Sequence, residues 1–255
     1  MKKEIRVFFT ALMFFTRIPC PKWVDHSQEY LNKSSRYFPL MGWIVGGISA
    51  LVLCGASLVL PFPIAILLSM VASIWVTGAF HEDGLADVCD GFGGGWTKEK
   101  ILLIMKDSRV GAFGIIGLIM VLGMKFLCLT SFPLSSVGLG LIIIAGHSLS
   151  RFVAITFLFT HEYARDDDQS KSKPLATKIS GGSLLLAAIF GIAPMFLLSS
   201  YYVFILIVPV YLTKMLLGRF YKKWIGGYTG DCLGATQQIC EVVFYLGLIV
   251  LWKYT

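Results

Sequence analysis

Seven apolar stretches, residues 39–60, 64–80, 112–131, 139–159, 183–199, 201–218 and 235–252, run along this chain. Each approaches the roughly 20 residues that a helix needs to cross a bilayer. Backbone amides find no water in hydrocarbon, so repeated stretches of this kind restrict the fold to an all-α, polytopic membrane bundle. Composition agrees, with 56% of the 255 residues hydrophobic and 15% charged, against about 25% charged in soluble domains. The turns at Pro61-Phe62-Pro63 and Ser199-Ser200-Tyr201 are too tight to hold a second domain. Residues 1–255 therefore read as a single integral membrane domain of about seven transmembrane helices.

Basic residues set the expected orientation. Nineteen of the 22 Lys and Arg fall in segments 1–36, 81–111, 160–182 and 214–234, all on one side of the expected spans. Positive charge stays inside, which predicts a cytoplasmic N-terminus, an odd number of spans and an external C-terminus. The net charge of +7 is what this orientation and anionic headgroups require; the lipid bilayer is the implied partner, and no nucleic acid is. Residues 5–18 are expected to form an interfacial or half-inserted helix, because the apolar core Val7–Phe15 is short and Thr16-Arg17-Ile18-Pro19 offers no small-residue cleavage site. The six cysteines form no C-x-x-C pair and read as unpaired hydrophobes.

Chemistry concentrates in the segment between the second and third stretches. Asp83, Asp87 and Asp90 stand at i, i+4 and i+7, so on a helix they share one face and repel. Read as the C-terminal end of the preceding helix, with Gly91 as C-cap, they also face an unfavourable macrodipole. A divalent cation reverses that penalty, and hard carboxylate oxygens suit Mg²⁺ shared with substrate phosphates. Glu82 points about 100° from Asp83 on such a helix and is the weaker ligand; His81 points nearly opposite. The glycines at 91 and 93–95 are no P-loop, since no Gly-Lys-Ser/Thr follows. A short helix is predicted to open at Thr97. Lys106, Asp107, Ser108 and Arg109 then place two cations, a carboxylate and a hydroxyl before the third span. The cations suit a diphosphate, and Asp107 suits a metal or the proton of an attacking hydroxyl.

Two other segments are weaker. Gly226–Asp231 is glycine-rich and ends in an acid on the same side; alone it reads as a turn. Arg165 with Asp166–Asp168 reads as a solvated loop. Within the spans, Lys125 is expected to snorkel outward. Arg151 and Glu241, roughly 12 and 9 Å below the inner boundary, are expected to pair with each other, or else Arg151 reaches toward substrate.

Phe15-Thr16-Arg17-Ile18-Pro19, Tyr37-Phe38-Pro39-Leu40-Met41-Gly42, His81–Gly91, Ile104–Gly114 with its Met-Lys-Asp-Ser-Arg core, and Gly226–Gly234 together closely resemble the cobalamin synthase family of adenosylcobinamide-GDP ribazoletransferases. The resemblance covers nearly the whole chain. It implies a multi-pass enzyme of the bacterial cytoplasmic (inner) membrane acting late in coenzyme B12 assembly. Its reactants are adenosylcobinamide-GDP and α-ribazole or its 5′-phosphate, and its products are adenosylcobalamin or its 5′-phosphate and GMP. In these terms Asp83, Asp87, Asp90 and Glu82 are expected to hold Mg²⁺. Asp107, Lys106 and Arg109 are expected to be catalytic, and Arg17, Ser108, Arg151, Gly230 and Asp231 to bind substrate. A homo-oligomer is compatible with the sequence. Asp87-Val-Cys-Asp90-Gly91 echoes half of the CDP-alcohol phosphatidyltransferase motif, which makes a lipid enzyme of that type one rival. A cation transporter is the other, although transporter sites lie at mid-membrane and these acids sit at a boundary.

Overall fold

A computed structural model describes residues 2–24, 27–165 and 178–254. The chain is a helical bundle: α1 (Lys2–Phe15), α2 (Gln28–Ser34), α3 (Phe38–Ala56), α4 (Phe62–Thr77), α5 (Phe80–Gly94), α6 (Lys98–Ile104), α7 (Ala112–Thr130), α8 (Ser136–Ile155), α9 (Phe157–Thr160), α10 (Gly181–Ile192), α11 (Ile207–Ile225) and α12 (Gly230–Tyr254). The expected Asp166–Asp168 loop lies outside the described residues. All six cysteines are free, as expected.

The expected count of about seven spans is not reached by length alone. Among the described residues, five helical runs, ending with those that contain α11 and α12, are long and apolar enough to cross a bilayer, and a sixth exists only if α4 and α5 form one broken span. These two helices meet at 88° because Gly78 and Ala79 both take left-handed backbone, φ 66° and 59°. The run Gly181–Leu197 is shorter than the rest, matching the short fifth stretch. The first helix, α1, is 14 residues long, or roughly 21 Å, and cannot span hydrocarbon about 30 Å thick. It buries Val7, Thr10, Ala11 and Phe15, with Phe15 stacked on Phe38 of α3 at 4.3 Å.

The bundle centre is α3 against α8, with α12 beside them. A Cβ on Gly42 would lie 2.6 Å from the His147 carbonyl oxygen, and one on Gly46 would lie 2.8 Å from Ile144 Cα. Backbones that close are the small-residue packing of helices in lipid, where dispersion replaces hydrophobic burial.

Inside the bundle lies a buried polar network, and it corrects the expected Arg151–Glu241 pair. Glu241 accepts instead from Lys125 Nζ at 2.7 Å, Tyr245 Oη at 2.8 Å and Gln237 Nε2 at 2.8 Å. Arg151 donates to His147 Nδ1 at 2.8 Å and to the His147 carbonyl at 2.9 Å. A guanidinium has no lone pair to accept with, so His147 Nδ1 is the acceptor. Its proton sits on Nε2, 3.5 Å from Glu241. Lys125 does not snorkel: it is 3% exposed, because a carboxylate inside the bundle attracts it more strongly than the distant surface.

The loops after α9 and α11 are tied together. Tyr228 N–H donates to Glu162 O at 3.0 Å, and Ala164 N–H donates to Tyr228 O at 2.8 Å. This contact tolerates no side chain, since a Cβ on Gly227 would stand 2.2 Å from the Glu162 carbonyl oxygen. Gly227→Ala is expected to cost about 1–3 kcal/mol, the usual range for overpacking, measurable by thermal unfolding in detergent. An unchanged midpoint would mean that the two loops separate freely.

Candidate acidic site at one end of the bundle

The acids lie not on the tail of α4 but on a new helix. Because α5 starts at Phe80, Glu82 and Asp83 fall in its first turn, where the macrodipole favours anions. Gly91 is not a C-cap: α5 continues to Gly94, and Gly95 caps it. The predicted cap at Thr97 does form, its side chain accepting from Lys100 N–H at 3.3 Å.

The shared face of α5 divides by exposure. Asp83 is exposed, Asp87 half-buried and Asp90 buried. Asp90 takes Gly111 N–H at 2.6 Å and Gly114 N–H at 2.8 Å. It therefore caps the first turn of α7 and fastens the segment carrying Lys106–Arg109 to α5. Asp87 is the electrostatically stressed member. Burial first, then the nearby charges of Asp231 and Asp83, push its carboxyl from the usual value up to about 7.

Asp231 arrives in the first turn of α12, which packs on α5 through glycine: a Cβ on Gly84 would lie 3.0 Å from Asp231 Cα. The Tyr163–Tyr228 bridge brings Arg165 to the same place, where it donates to Asp231 Oδ2 at 2.7 Å. Thr229 Oγ1 also donates to that oxygen, at 3.3 Å. Arg165, expected in a solvated loop, is instead paired with Asp231; the cross-loop hydrogen bonds that place it have no sequence signature. Gly230 opens α12 beside Asp231.

The remaining expected residues are more dispersed. Lys106 and Ser108 are exposed. Arg109 donates to Asp107 from Nη2 at 2.6 Å and from Nε at 3.1 Å. This holds the Asp107 carboxyl down to about 2. Arg17 is exposed, and its side chain lies over Gly78 at the α4–α5 bend, where a Cβ would meet Nε at 2.3 Å. Arg151 is 2% exposed, with its guanidinium carbon 5.7 Å from the Phe38 ring centre. Glu82 is buried and accepts from Gln238 Nε2 at 2.8 Å. Among the described residues, no three His, Cys, Asp or Glu side chains stand close enough to enclose a metal by themselves.

Taken as a class, this is a multi-pass helical membrane protein whose acidic face gathers at one end of the bundle. The chain belongs to the cobalamin-5-phosphate synthase family, whose model matches residues 7–249. Similar curated proteins carry the name adenosylcobinamide-GDP ribazoletransferase. One from Shewanella frigidimarina is 50% identical over 97% of this chain and 95% of its own length. Another from Shewanella oneidensis is 48% identical over 97% and 95%, and one from Shewanella amazonensis 45% over 99% and 98%. No solved structure matches the chain.

Proposed function

We propose that this chain is a membrane-bound transferase that moves the phosphocobinamide group of adenosylcobinamide-GDP to α-ribazole or its 5′-phosphate, giving adenosylcobalamin or its 5′-phosphate and GMP. Family membership and the relatives' names support the reaction. The observation that carries the site is the meeting of Asp83 and Asp87 with Asp231 and Arg165, from three segments of the chain. The basic segments support placing this end in the cytoplasm of a bacterium, with the bundle in its inner membrane.

The donor set fits Mg²⁺. Carboxylates that are near one another but do not close a cage suit a hard cation that keeps water and phosphate oxygens as its other ligands. Asp83, Asp87 and Asp231 would hold it, and when bound it supplies Lewis acidity toward the diphosphate. Asp90 keeps Lys106 and Arg109 next to this face, where they offset charge on the transferred phosphoryl group and on departing GMP. A ribose hydroxyl oxygen forms a bond to the cobinamide-side phosphorus. The bond from that phosphorus to the bridging oxygen breaks, and GMP leaves with the electron pair. Asp107, held near 2 by Arg109, is a weak proton acceptor. With the Asp83, Asp87 and Asp231 carboxylates engaged, the hydroxyl proton leaves to water at the open face, and Asp107 orients Arg109.

The test is the purified chain in nanodiscs with both reactants and Mg²⁺. GMP and a corrinoid product in equal amounts are expected. Lipid product from a CDP-activated donor, or cation flux without GMP, would assign the chain to another class.

Protons and Mg²⁺ compete for Asp87 in this scheme. With its carboxyl at about 7, the acid is protonated below that pH and free above it. Apparent Mg²⁺ affinity should rise with pH up to about 7 and then level off, changing at most about tenfold per unit for one displaced proton. Calorimetric titrations between pH 5.5 and 8.5 measure this; a flat profile would remove Asp87 from the ligand set.

A further inference from the structure

The buried face of α5 poses a question that the acidic face does not answer. Glu82 is 7% exposed and Gln238 is 2% exposed, and they join α5 to α12 by one hydrogen bond of 2.8 Å. Toward the start of α12 the two helices touch through glycine. Gly84 sits against Asp231, and a Cβ on Gly234 would come 3.2 Å from His81 Cα. The bond therefore lies in the same contact that sets the distance between the α5 aspartates and Asp231. Around it the polar chemistry is unfinished: Glu82 Oε2, Gln238 Oε1, His81 Nε2 and Arg151 Nε are buried without a direct partner among the described residues. Glu82 also lies in the field of Lys125, Arg151 and Glu241.

We propose that Glu82 and Gln238 are a positioning couple, which holds α5 on α12 at the spacing the Asp83, Asp87 and Asp231 carboxylates need, and that Glu82 is not itself a metal ligand. A ligand role would need its carboxylate on the open face. Instead it points into the bundle, about 100° around the helix from Asp83, with Gln238 on one oxygen. Bonded polar side chains between lipid-embedded helices fix register where apolar packing alone leaves helices free to slide. The unpartnered atoms are the points at which ordered water completes the couple.

This inference rests on the Mg²⁺ reading above, and its test separates the two. Mg²⁺ binding by calorimetry and the split between kcat and the Mg²⁺ half-saturation are compared for wild type, Glu82→Gln, Glu82→Ala, Gln238→Ala and Gln238→Leu. A glutamine at 82 still offers an oxygen to Gln238, so Glu82→Gln is expected to bind Mg²⁺ within about threefold of wild type. Removing either partner is expected to weaken binding about tenfold. The Glu82→Ala/Gln238→Ala double variant is expected to be no weaker than the worse single one, because one bond is lost in each case. Glu82→Gln as weak as Glu82→Ala, with both Gln238 variants at wild-type affinity, would make Glu82 a ligand and overturn the proposal. With the six native cysteines replaced by alanine, spin labels on Phe80→Cys and Leu246→Cys report the α5–α12 distance without metal. That distribution is expected to broaden in the alanine variants even if wild type binds no Mg²⁺; an unchanged distribution would also overturn the couple.

Discussion

Asp83→Ala and Asp87→Ala are each expected to lower GMP release about a hundredfold or more, with no loss of stability in the metal-free protein. The rate effect follows from removing one carboxylate from a site that organises charge during phosphoryl transfer, a contribution of several kcal/mol at about 1.4 kcal/mol per factor of ten. The stability effect has the opposite sign from that of a structural acid. Asp87 is pushed up to about 7 by burial and by its acidic neighbours Asp231 and Asp83, so ionised Asp87 is repelled in the folded state. Its folded value exceeds the unfolded one. The stabilisation available to the protonated form is full below the unfolded value and is lost as pH rises through about 7. At pH 8 the metal-free Asp87→Ala protein should therefore melt at or above the wild-type temperature, and added Mg²⁺ should raise its midpoint less than it raises that of wild type. The double variant should lose little more activity than either single one, because the acids act as a unit. A variant that keeps full activity, or one that melts well below wild type, would mean that the acids serve the fold.

Lys125→Ala is expected to destabilise the bundle by about 3–5 kcal/mol, the range for stripping one partner from a buried ion pair. Lys125 and Glu241 are 4% and 0% exposed and 2.7 Å apart. Loss of the ammonium leaves the buried Glu241 carboxylate with hydrogen bonds from Gln237 and Tyr245 only, His147 at 3.5 Å and Arg151 as the remaining cation in its field. Lys125→Met combined with Glu241→Gln should recover most of the loss. That pair removes both charges and keeps an acceptor for Tyr245. Unfolding in mixed micelles measures all three proteins. If Lys125 instead reached the surface, its removal would change stability by less than about 0.5 kcal/mol.

Much of this was legible in the sequence. Long apolar stretches gave the helices, because a bilayer leaves the backbone no alternative, and the Thr97 cap followed from local chemistry alone. The helix break was missed: nothing before Gly78 and Ala79 signals that two consecutive residues turn left-handed, and that break places Asp83 in a first turn instead of a last one. At the site, the i, i+4, i+7 spacing located the acids, but their neighbours depended on packing between helices. Asp231 meets Asp87 because Gly84 lets α12 approach, and Arg165 arrives through a bridge between two loops. Lys125 could have been found by pairing charges, since an apolar span seldom carries a lysine unless a carboxylate on another span answers it.

The central claim is that carboxylates from α5 and α12 form one site holding a divalent cation on a diphosphate. Electron paramagnetic resonance of Mn²⁺ bound to the protein with adenosylcobinamide-GDP tests it most directly. One saturable Mn²⁺ site is expected, with phosphorus hyperfine coupling, weakened at least tenfold by Asp83→Ala, Asp87→Ala or Asp231→Ala. Mn²⁺ binding unaffected by all three substitutions, or bound manganese without coupling to phosphorus, would contradict it.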